Sequence, residues 1–143
     1  MSDRKNVLMI CTDHWSGSLL GCAGRKDIMT PTLDYLANNG IRYENFYSEC
    51  PVCIPARRSM MTGLTPKTHG DRAYADRMPM PDVPTLAETF RENGYQTMAV
   101  GKLHVYPQRN RIGFEDVILT EEGRYEMGAV DDYQIWLGEH GYL

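Results

Sequence analysis

The stretch "TLAETFRENGYQTMAVG", residues 85–101, holds the pattern that decides the class of the fold. Thr85 and Glu88 have the spacing of a capping box, and Gly94 marks the end of the helix that they begin. Residues 95–101 then have the composition of a β-strand. A helix that leads directly into a strand predicts an α/β protein.

Start and stop signals extend this pattern to both sides of the stretch. Proline opens and glycine closes two predicted helices, at residues 30–40 and 55–63, and another helix is predicted to begin near Asp131. Apolar or β-forming runs at residues 6–12 and 41–47 predict two more strands. Strands that alternate with helices predict an α/β sandwich around a mostly parallel sheet.

Composition excludes several classes of protein. The chain has 143 residues, of which 42% are apolar, so it has enough material for one hydrophobic core. The net charge of −4, without any block of like charges, argues against a nucleic-acid partner. The apolar run at residues 7–11 is too short for a secretion leader or a membrane span. The sequence therefore predicts a cytoplasmic protein without a membrane partner.

Cysteine usage leaves three interpretations of the segment "CPVCIPARRSMMTG", residues 50–63. Cytoplasmic thiols stay reduced, so Cys11 and Cys22 are read as thiols rather than as part of a disulfide framework, and so are Cys50 and Cys53. They have the spacing of a redox pair, and a single pair of this kind is only half of a zinc site. In the third interpretation, Cys53 lies just before a helix N-terminus and is the seat of a nucleophile.

Polar residues follow two of the predicted strands, where α/β proteins bind their ligands. Asp13 ends the first predicted strand, and Lys102 and His104 follow the strand at 95–101. Arg57 lies in the first turn of a predicted helix, whose free N–H groups favour an anion. A carboxylate, a cysteine and several cations suit a metal-assisted attack on an oxyanion ester. Each residue also has a structural alternative, as a turn residue, a solvated strand end or a hydrogen-bonded loop histidine.

Four segments resemble one protein family. "CIPARRSMMTG" at residues 53–63 resembles the first sulfatase signature, and "GYQTMAVGKLH" at 94–104 resembles the second. "NVLMICTDHW" at 6–15 and "TPTLDYLANNG" at 30–40 are similar to the first strand and the following helix of that family. The resemblance extends over residues 5–119. It implies the alkaline phosphatase superfamily, with a three-layer α/β/α sandwich that is incomplete in this chain. Within that superfamily it implies the branch of the arylsulfatases, choline-sulfatases and phosphonate monoester hydrolases.

The resemblance implies a role for each candidate residue. Cys53 would be oxidised to formylglycine by a formylglycine-generating enzyme, and the hydrated aldehyde would attack the sulfur of a small-molecule sulfate ester. Asp13 and the modified Cys53 would bind a divalent metal, calcium as the usual ion, with manganese and magnesium as alternatives. Arg57 would hold the modified residue. Lys102 and His104 would bind the sulfate oxygens and balance the charge that develops in the transition state.

The sequence departs from the family in two respects. His14 stands where many members carry a second metal-binding aspartate, so it is a weaker candidate ligand. Family members are several times longer, and their other ligands come from later in the chain, so residues 1–143 are interpreted as the N-terminal portion of a single catalytic domain. His69 is predicted to be structural, and Met60 and Met61 are predicted to fill the core.

Two alternatives to a sulfatase segment remain open. The first is a phosphonate monoester or phosphodiester hydrolase, which the same branch includes. The second is a catalytically inactive fragment that acts only in binding or assembly, because a site that lacks several members loses most of its transition-state stabilisation. An incomplete sheet would also leave open edges that favour self-association.

Overall fold

The computed structural model describes residues 4–122 and 130–142. By its internal contacts the chain divides into two compact units, Met1–Phe46 and Tyr47–Leu143, here called the first unit and the second unit. Within the described ranges, no helix combines the length and the hydrophobicity needed to cross a bilayer.

In the described residues of the first unit, 4–46, the regular structure consists of short helices. Two 3₁₀ turns, Gly17–Leu19 and Gly21–Ala23, are followed by helix α1, Pro31–Asn39. Proline begins α1 and Gly40 follows its last residue, as predicted, because proline at the first helical position needs no hydrogen-bond acceptor for an N–H. The predicted helix at 30–40 is therefore confirmed.

Side-chain hydrogen bonds connect α1 to the turn that precedes it. The Asp34 carboxylate accepts hydrogen bonds from the Cys22 N–H at 2.7 Å and from the Thr30 hydroxyl at 3.0 Å. The Thr30 hydroxyl oxygen in turn accepts from the Gly21 N–H at 2.8 Å. Because these backbone donors lie outside any regular ladder, the side chains supply the acceptors that they require.

Two predicted strands do not form. Residues 6–12 and 41–47 have no strand structure, and the side chains of Val7, Leu8, Met9 and Ile10 are 65%, 85%, 52% and 71% exposed. A strand exists only when a neighbouring backbone accepts and donates its hydrogen bonds. In the described part of the chain only two strands occur, and they pair with each other. The apolar run at residues 6–12 therefore indicates β-propensity correctly, but the strand predicted from it is wrong.

The second unit contains four helices among its described residues. They are α2, Cys53–Thr62; α3, Pro66–His69; α4, Leu86–Glu92; and α5, Asp132–Glu139. Helix α2 begins two residues earlier than predicted, so Cys53 is its first residue rather than the residue before it. Helix α3 was not predicted from the sequence. Helices α4 and α5 confirm their predictions, with a capping box on α4 and Asp131 as the N-cap of α5.

The described part of the second unit contains a two-stranded parallel sheet. Strand β1, Met98–Gly101, pairs with β2, Asp116–Leu119, so that Met98 faces Asp116 and Gly101 faces Leu119. The register brings the carboxyl ends of both strands to the same edge. Strand β1 confirms the C-terminal part of the predicted strand at 95–101, whereas β2 was not predicted. Helices that alternate with parallel strands are the expected α/β class, in an incomplete form.

The core of the second unit packs around the carboxyl ends of these strands. Its buried members are Met61, Leu103, Val105, Ile112 and Leu119. Met61 is 8% exposed and Met60 packs partly buried against the cluster, which confirms their predicted role as core filler. The segment that follows β1 is therefore fixed by apolar contacts on one side.

Gly113 lies where the chain passes the N-terminus of α4. The Thr85 hydroxyl donates a hydrogen bond to the Ile112 carbonyl at 2.7 Å. The Gly113 backbone has a φ of +94°, and a Cβ there would lie 2.5 Å from the Glu88 Cγ and 2.7 Å from the Glu88 N. Only glycine fits this left-handed and crowded position.

Candidate functional site

Helix α2 carries the predicted nucleophile at its first residue. Cys53 is half-buried, and the N-cap residue Val52 has no side chain that can accept a hydrogen bond from the helix N-terminus. The positive end of the helix dipole is therefore left for other groups, which favours an anion at this point. Arg57 lies four residues later, on the same face of the helix as Cys53.

Arg57 connects this helix to the segment after β1. Its Nη1 donates a hydrogen bond of 2.5 Å to the backbone carbonyl of Lys102. The two residues are 45 positions apart in sequence, so the fold alone brings them together. Of the predicted site residues, Arg57 and Lys102 are thus in direct contact.

Lys102 and His104 lie at the carboxyl end of β1, as the sequence predicted. The Lys102 side chain is 9% exposed, and His104 is 5% exposed as a whole residue. His104 has a φ of +57°, a left-handed conformation that is uncommon for a residue with a Cβ. Its Nε2 lies 3.5 Å from the Tyr74 hydroxyl, and the two rings meet edge to face.

Glu121 fixes the backbone of this segment. Its carboxylate is almost fully buried, and it accepts hydrogen bonds from the Leu103 N–H at 2.7 Å and from the His104 N–H at 2.9 Å. The Glu121 N–H donates to the Asp131 carboxylate at 2.7 Å, and Asp131 also caps α5. A buried carboxylate is stable only with such donors, and these hydrogen bonds hold the segment in which His104 has its left-handed backbone.

Sequence reasoning missed Glu121, although a signal was present. Glu121 lies two residues after the end of β2, and Leu103, whose N–H it accepts, lies two residues after the end of β1. Because the carboxyl ends of adjacent parallel strands meet at one edge, recognising β2 as a strand would have placed both residues together. Glu121 was therefore missed because strand β2 was missed.

Glu122 is the second missed residue. Its Oε1 lies 2.6 Å from the Lys102 Nζ, and its side chain is 49% exposed. The backbone of Glu122 also has a positive φ, of 60°. The cation at the predicted anion site therefore has a carboxylate beside it.

A buried ion pair anchors α2 through Arg58. The Arg58 Nε lies 3.4 Å from the Asp71 carboxylate, and the two side chains are 3% and 1% exposed. The Arg58 guanidinium also donates to the carbonyls of Pro79 and Met78, at 2.5 and 2.7 Å. Its neighbour Arg57 is half-buried and contacts Lys102, so the consecutive arginines have separate tasks.

His69 extends this anchor and supports its predicted structural role. Its Nδ1 accepts a hydrogen bond from the Asp71 N–H at 3.2 Å, so the ring proton is on Nε2, which lies 3.0 Å from the Ser59 hydroxyl. Burial, and then the Arg58 charge, lower the pKa of His69 below its usual 6.5. A histidine that donates to a serine cannot take its proton, so this pair is not a nucleophile and its base.

Asp13 and His14 lie in the first unit, in a bend that follows residues 4–12, which have no regular secondary structure. Both are exposed, and a carboxylate oxygen of Asp13 and a ring nitrogen of His14 lie within 4.8 Å of each other. His14 has a φ of +54°. A carboxylate oxygen is the ligand that a hard divalent cation prefers, so the donor chemistry of Asp13 fits such an ion; an imidazole fits it less well.

All four cysteines are thiols in this structure, as the sequence predicted. The Cys50 Sγ lies 3.8 Å from the Arg72 carbonyl oxygen, which suits a thiol that donates a weak hydrogen bond. The structure therefore has no disulfide between Cys50 and Cys53.

Comparisons with known proteins agree on one family. The sulfatase family model matches residues 5–143. An arylsulfatase of Clostridium perfringens is 36% identical over 147 residues, which cover 95% of this chain and 31% of that protein. A choline-sulfatase of Rhizobium meliloti is 31% identical over 132 residues, covering 92% of this chain and 25% of its own length. The crystal structure of Ps i-CgsB aligns with a TM-score of 0.69 at 27% identity, over 92% of this chain and 31% of that one.

Proposed function

Because the chain belongs to the sulfatase family, with its alkaline phosphatase-like α/β fold, we propose that it forms part of a hydrolase of sulfate esters. The chain spans less than a third of the length of these relatives, so the proposal concerns the whole enzyme that such a segment serves. The observation that carries it is the contact between Arg57 and Lys102. This contact links the helix that begins at Cys53 to the cationic end of β1.

The proposed nucleophile is Cys53 after its oxidation to formylglycine by a formylglycine-generating enzyme. Its position as the first residue of α2 supports this role, because the helix N-terminus stabilises negative charge that develops on an attacking oxygen. Arg57, one turn along the same face, orients the modified side chain. Its contact with the Lys102 carbonyl restricts the rotamers of Arg57 and hence the direction of its remaining donors.

The proposed metal is a divalent cation, with calcium as the first choice. Asp13 would bind it through a carboxylate oxygen, and His14 is a weaker candidate. When bound, such a cation lowers the pKa of a coordinated hydroxyl and polarises an ester oxygen. The exposed Asp13 is accessible for this role.

Lys102 and His104 are proposed to bind the sulfate oxygens. Both are largely removed from water, so their electrostatic interaction with an anion is stronger than it would be at a fully solvated surface. Glu121 fixes the backbone of His104 before the substrate arrives, which avoids the free energy of reorganisation during the reaction. A sulfate ester is the first choice of substrate because the relatives named above are sulfatases.

The full-length protein tests this proposal through Cys53→Ala, with Cys50→Ala as the matched control three residues away. The modification lowers the intact mass by about 18 Da, and hydrolysis of an aryl sulfate should fall by about 10³-fold or more in Cys53→Ala. Cys50→Ala should keep both the mass change and the activity. Undiminished sulfate hydrolysis by Cys53→Ala would refute the proposed nucleophile.

A further inference from the structure

The carboxylate of Glu122 has no role in the reaction proposed above. Glu121 is anchored by the amides of Leu103 and His104, so the chain is held at the residue just before Glu122. Glu122 itself adopts a left-handed backbone, which a residue with a Cβ rarely adopts. Its side chain reaches the Lys102 ammonium group from this position, with an oxygen-to-nitrogen distance of 2.6 Å.

The two members of this ion pair differ in exposure. The Lys102 side chain is 9% exposed, whereas that of Glu122 is 49% exposed. A lysine side chain that is only 9% exposed is stabilised by a negative partner close by, and Glu122 supplies one at hydrogen-bond distance. An ester that approaches Lys102 therefore meets a cation whose charge is already partly balanced.

This balance affects anions according to their charge. A sulfate ester carries one negative charge, and so does a phosphonate monoester or a phosphodiester. A phosphate monoester carries close to two at neutral pH, because its second pKa is about 6. The second negative charge of a phosphate monoester is attracted less by a lysine whose charge is partly balanced. It is also repelled by the Glu122 carboxylate.

We propose that Glu122 is a specificity-determining residue: its carboxylate, paired with Lys102, favours singly charged esters over doubly charged phosphate monoesters. The inference rests on the proposed function, since it assigns the anion site to Lys102. It deepens that function by defining the charge of the substrate class. Glu122 acts as a fixed negative charge at the rim of the site and contributes no bond to the reacting atoms.

The test uses the full-length protein and the variant Glu122→Gln, which removes the charge and keeps the size of the side chain. The substrate is p-nitrophenyl sulfate, and phenyl phosphate is the competing dianion, at about pH 8 so that it is doubly ionised. We expect the Ki of phenyl phosphate to fall about tenfold relative to the KM of p-nitrophenyl sulfate in Glu122→Gln. The control is Glu92→Gln, which removes the same charge at the exposed end of α4.

Three outcomes separate the inference from the proposed function. A tenfold change confined to Glu122→Gln supports the inference. Normal sulfate turnover with an unchanged ratio, or an equal change in Glu92→Gln, overturns the inference alone. No sulfate turnover by the wild-type protein would refute the proposed function and this inference with it.

Discussion

The two units of the chain place their apolar runs in different environments. The second unit buries a cluster around the ends of its paired strands, including Leu103 and Leu119. In the first unit, four consecutive apolar side chains at residues 7–10 are each more than half exposed. Both units contain runs with strong β-propensity, so propensity does not distinguish them. The difference teaches that a strand depends on its neighbours, whereas a helix contains its own hydrogen bonds.

Gly113→Ala should break the packing of the second unit most severely. A Cβ at this residue would collide with the backbone of Glu88, and the left-handed φ adds strain. We expect the free energy of unfolding of the second unit to fall by about 3 to 5 kcal/mol, measured by chemical denaturation.

Gly17→Ala is the matched control in the first unit. Among the described residues beyond its two chain neighbours, no heavy atom lies within 4 Å of a Cβ built at Gly17, and the φ of Gly17 lies outside the left-handed region. Its effect should stay within about 0.5 kcal/mol. Similar losses in the two variants would contradict the proposed difference in packing.

A comparison of two carboxylates sharpens the contrast further. Glu121 in the second unit is 1% exposed and accepts two backbone N–H groups, from Leu103 and His104. Asp34 in the first unit is only part-buried and accepts one backbone N–H. Glu121→Ala should lower the free energy of unfolding by about 2 to 4 kcal/mol and Asp34→Ala by about 1 kcal/mol, because unsatisfied buried donors cost more than exposed ones.

Amide hydrogen exchange checks this prediction at the donors themselves. Exchange at Leu103 and His104 should accelerate strongly in Glu121→Ala and stay unchanged in Asp34→Ala. Equal stability losses in the two variants, or protected amides at residues 103 and 104 after removal of Glu121, would show that the carboxylate does not hold this segment.

The helices could be predicted from the sequence because their signals are local. Pro31, the capping box of Thr85 and Glu88, and the N-cap Asp131 each act within one turn. Whether residues 6–12 form a strand could not be predicted in the same way, because a strand needs a paired neighbour that the local sequence does not reveal. Strand β1 was predicted because it follows a clear helix, and its partner β2 was missed.

The site could be predicted only in part, for the same physical reason. Cys53, Arg57, Lys102 and His104 follow from the two signature segments and from the positions of helix starts and strand ends. The contact between Arg57 and Lys102 confirms that two of them meet in space. The positions of Glu121 and Glu122 beside the segment after β1 depend on the pairing of β1 with β2, and this pairing is non-local.

The smallest predicted effect is a pH dependence of stability that comes from His69, next to the Arg58–Asp71 ion pair of α2. Burial and the nearby Arg58 lower the pKa of His69 in the folded state below its usual 6.5. The unfolded chain therefore binds this proton more readily, so the neutral ring stabilises the fold. That contribution is fully present above the unfolded pKa and is lost as the pH falls below it. Protonation also puts a hydrogen on Nδ1, which opposes the hydrogen bond from the Asp71 N–H.

We therefore expect the second unit to lose stability between about pH 7 and about pH 5, with part of the slope removed in His69→Gln. Ser59→Ala is the control, because it deletes the partner of Nε2 but leaves a ring that titrates. It should lower stability at all pH values and keep the slope. A ring titration of His69 by NMR with a midpoint above 6.5 would contradict the sign of the effect, because a raised pKa makes acid stabilise this contact.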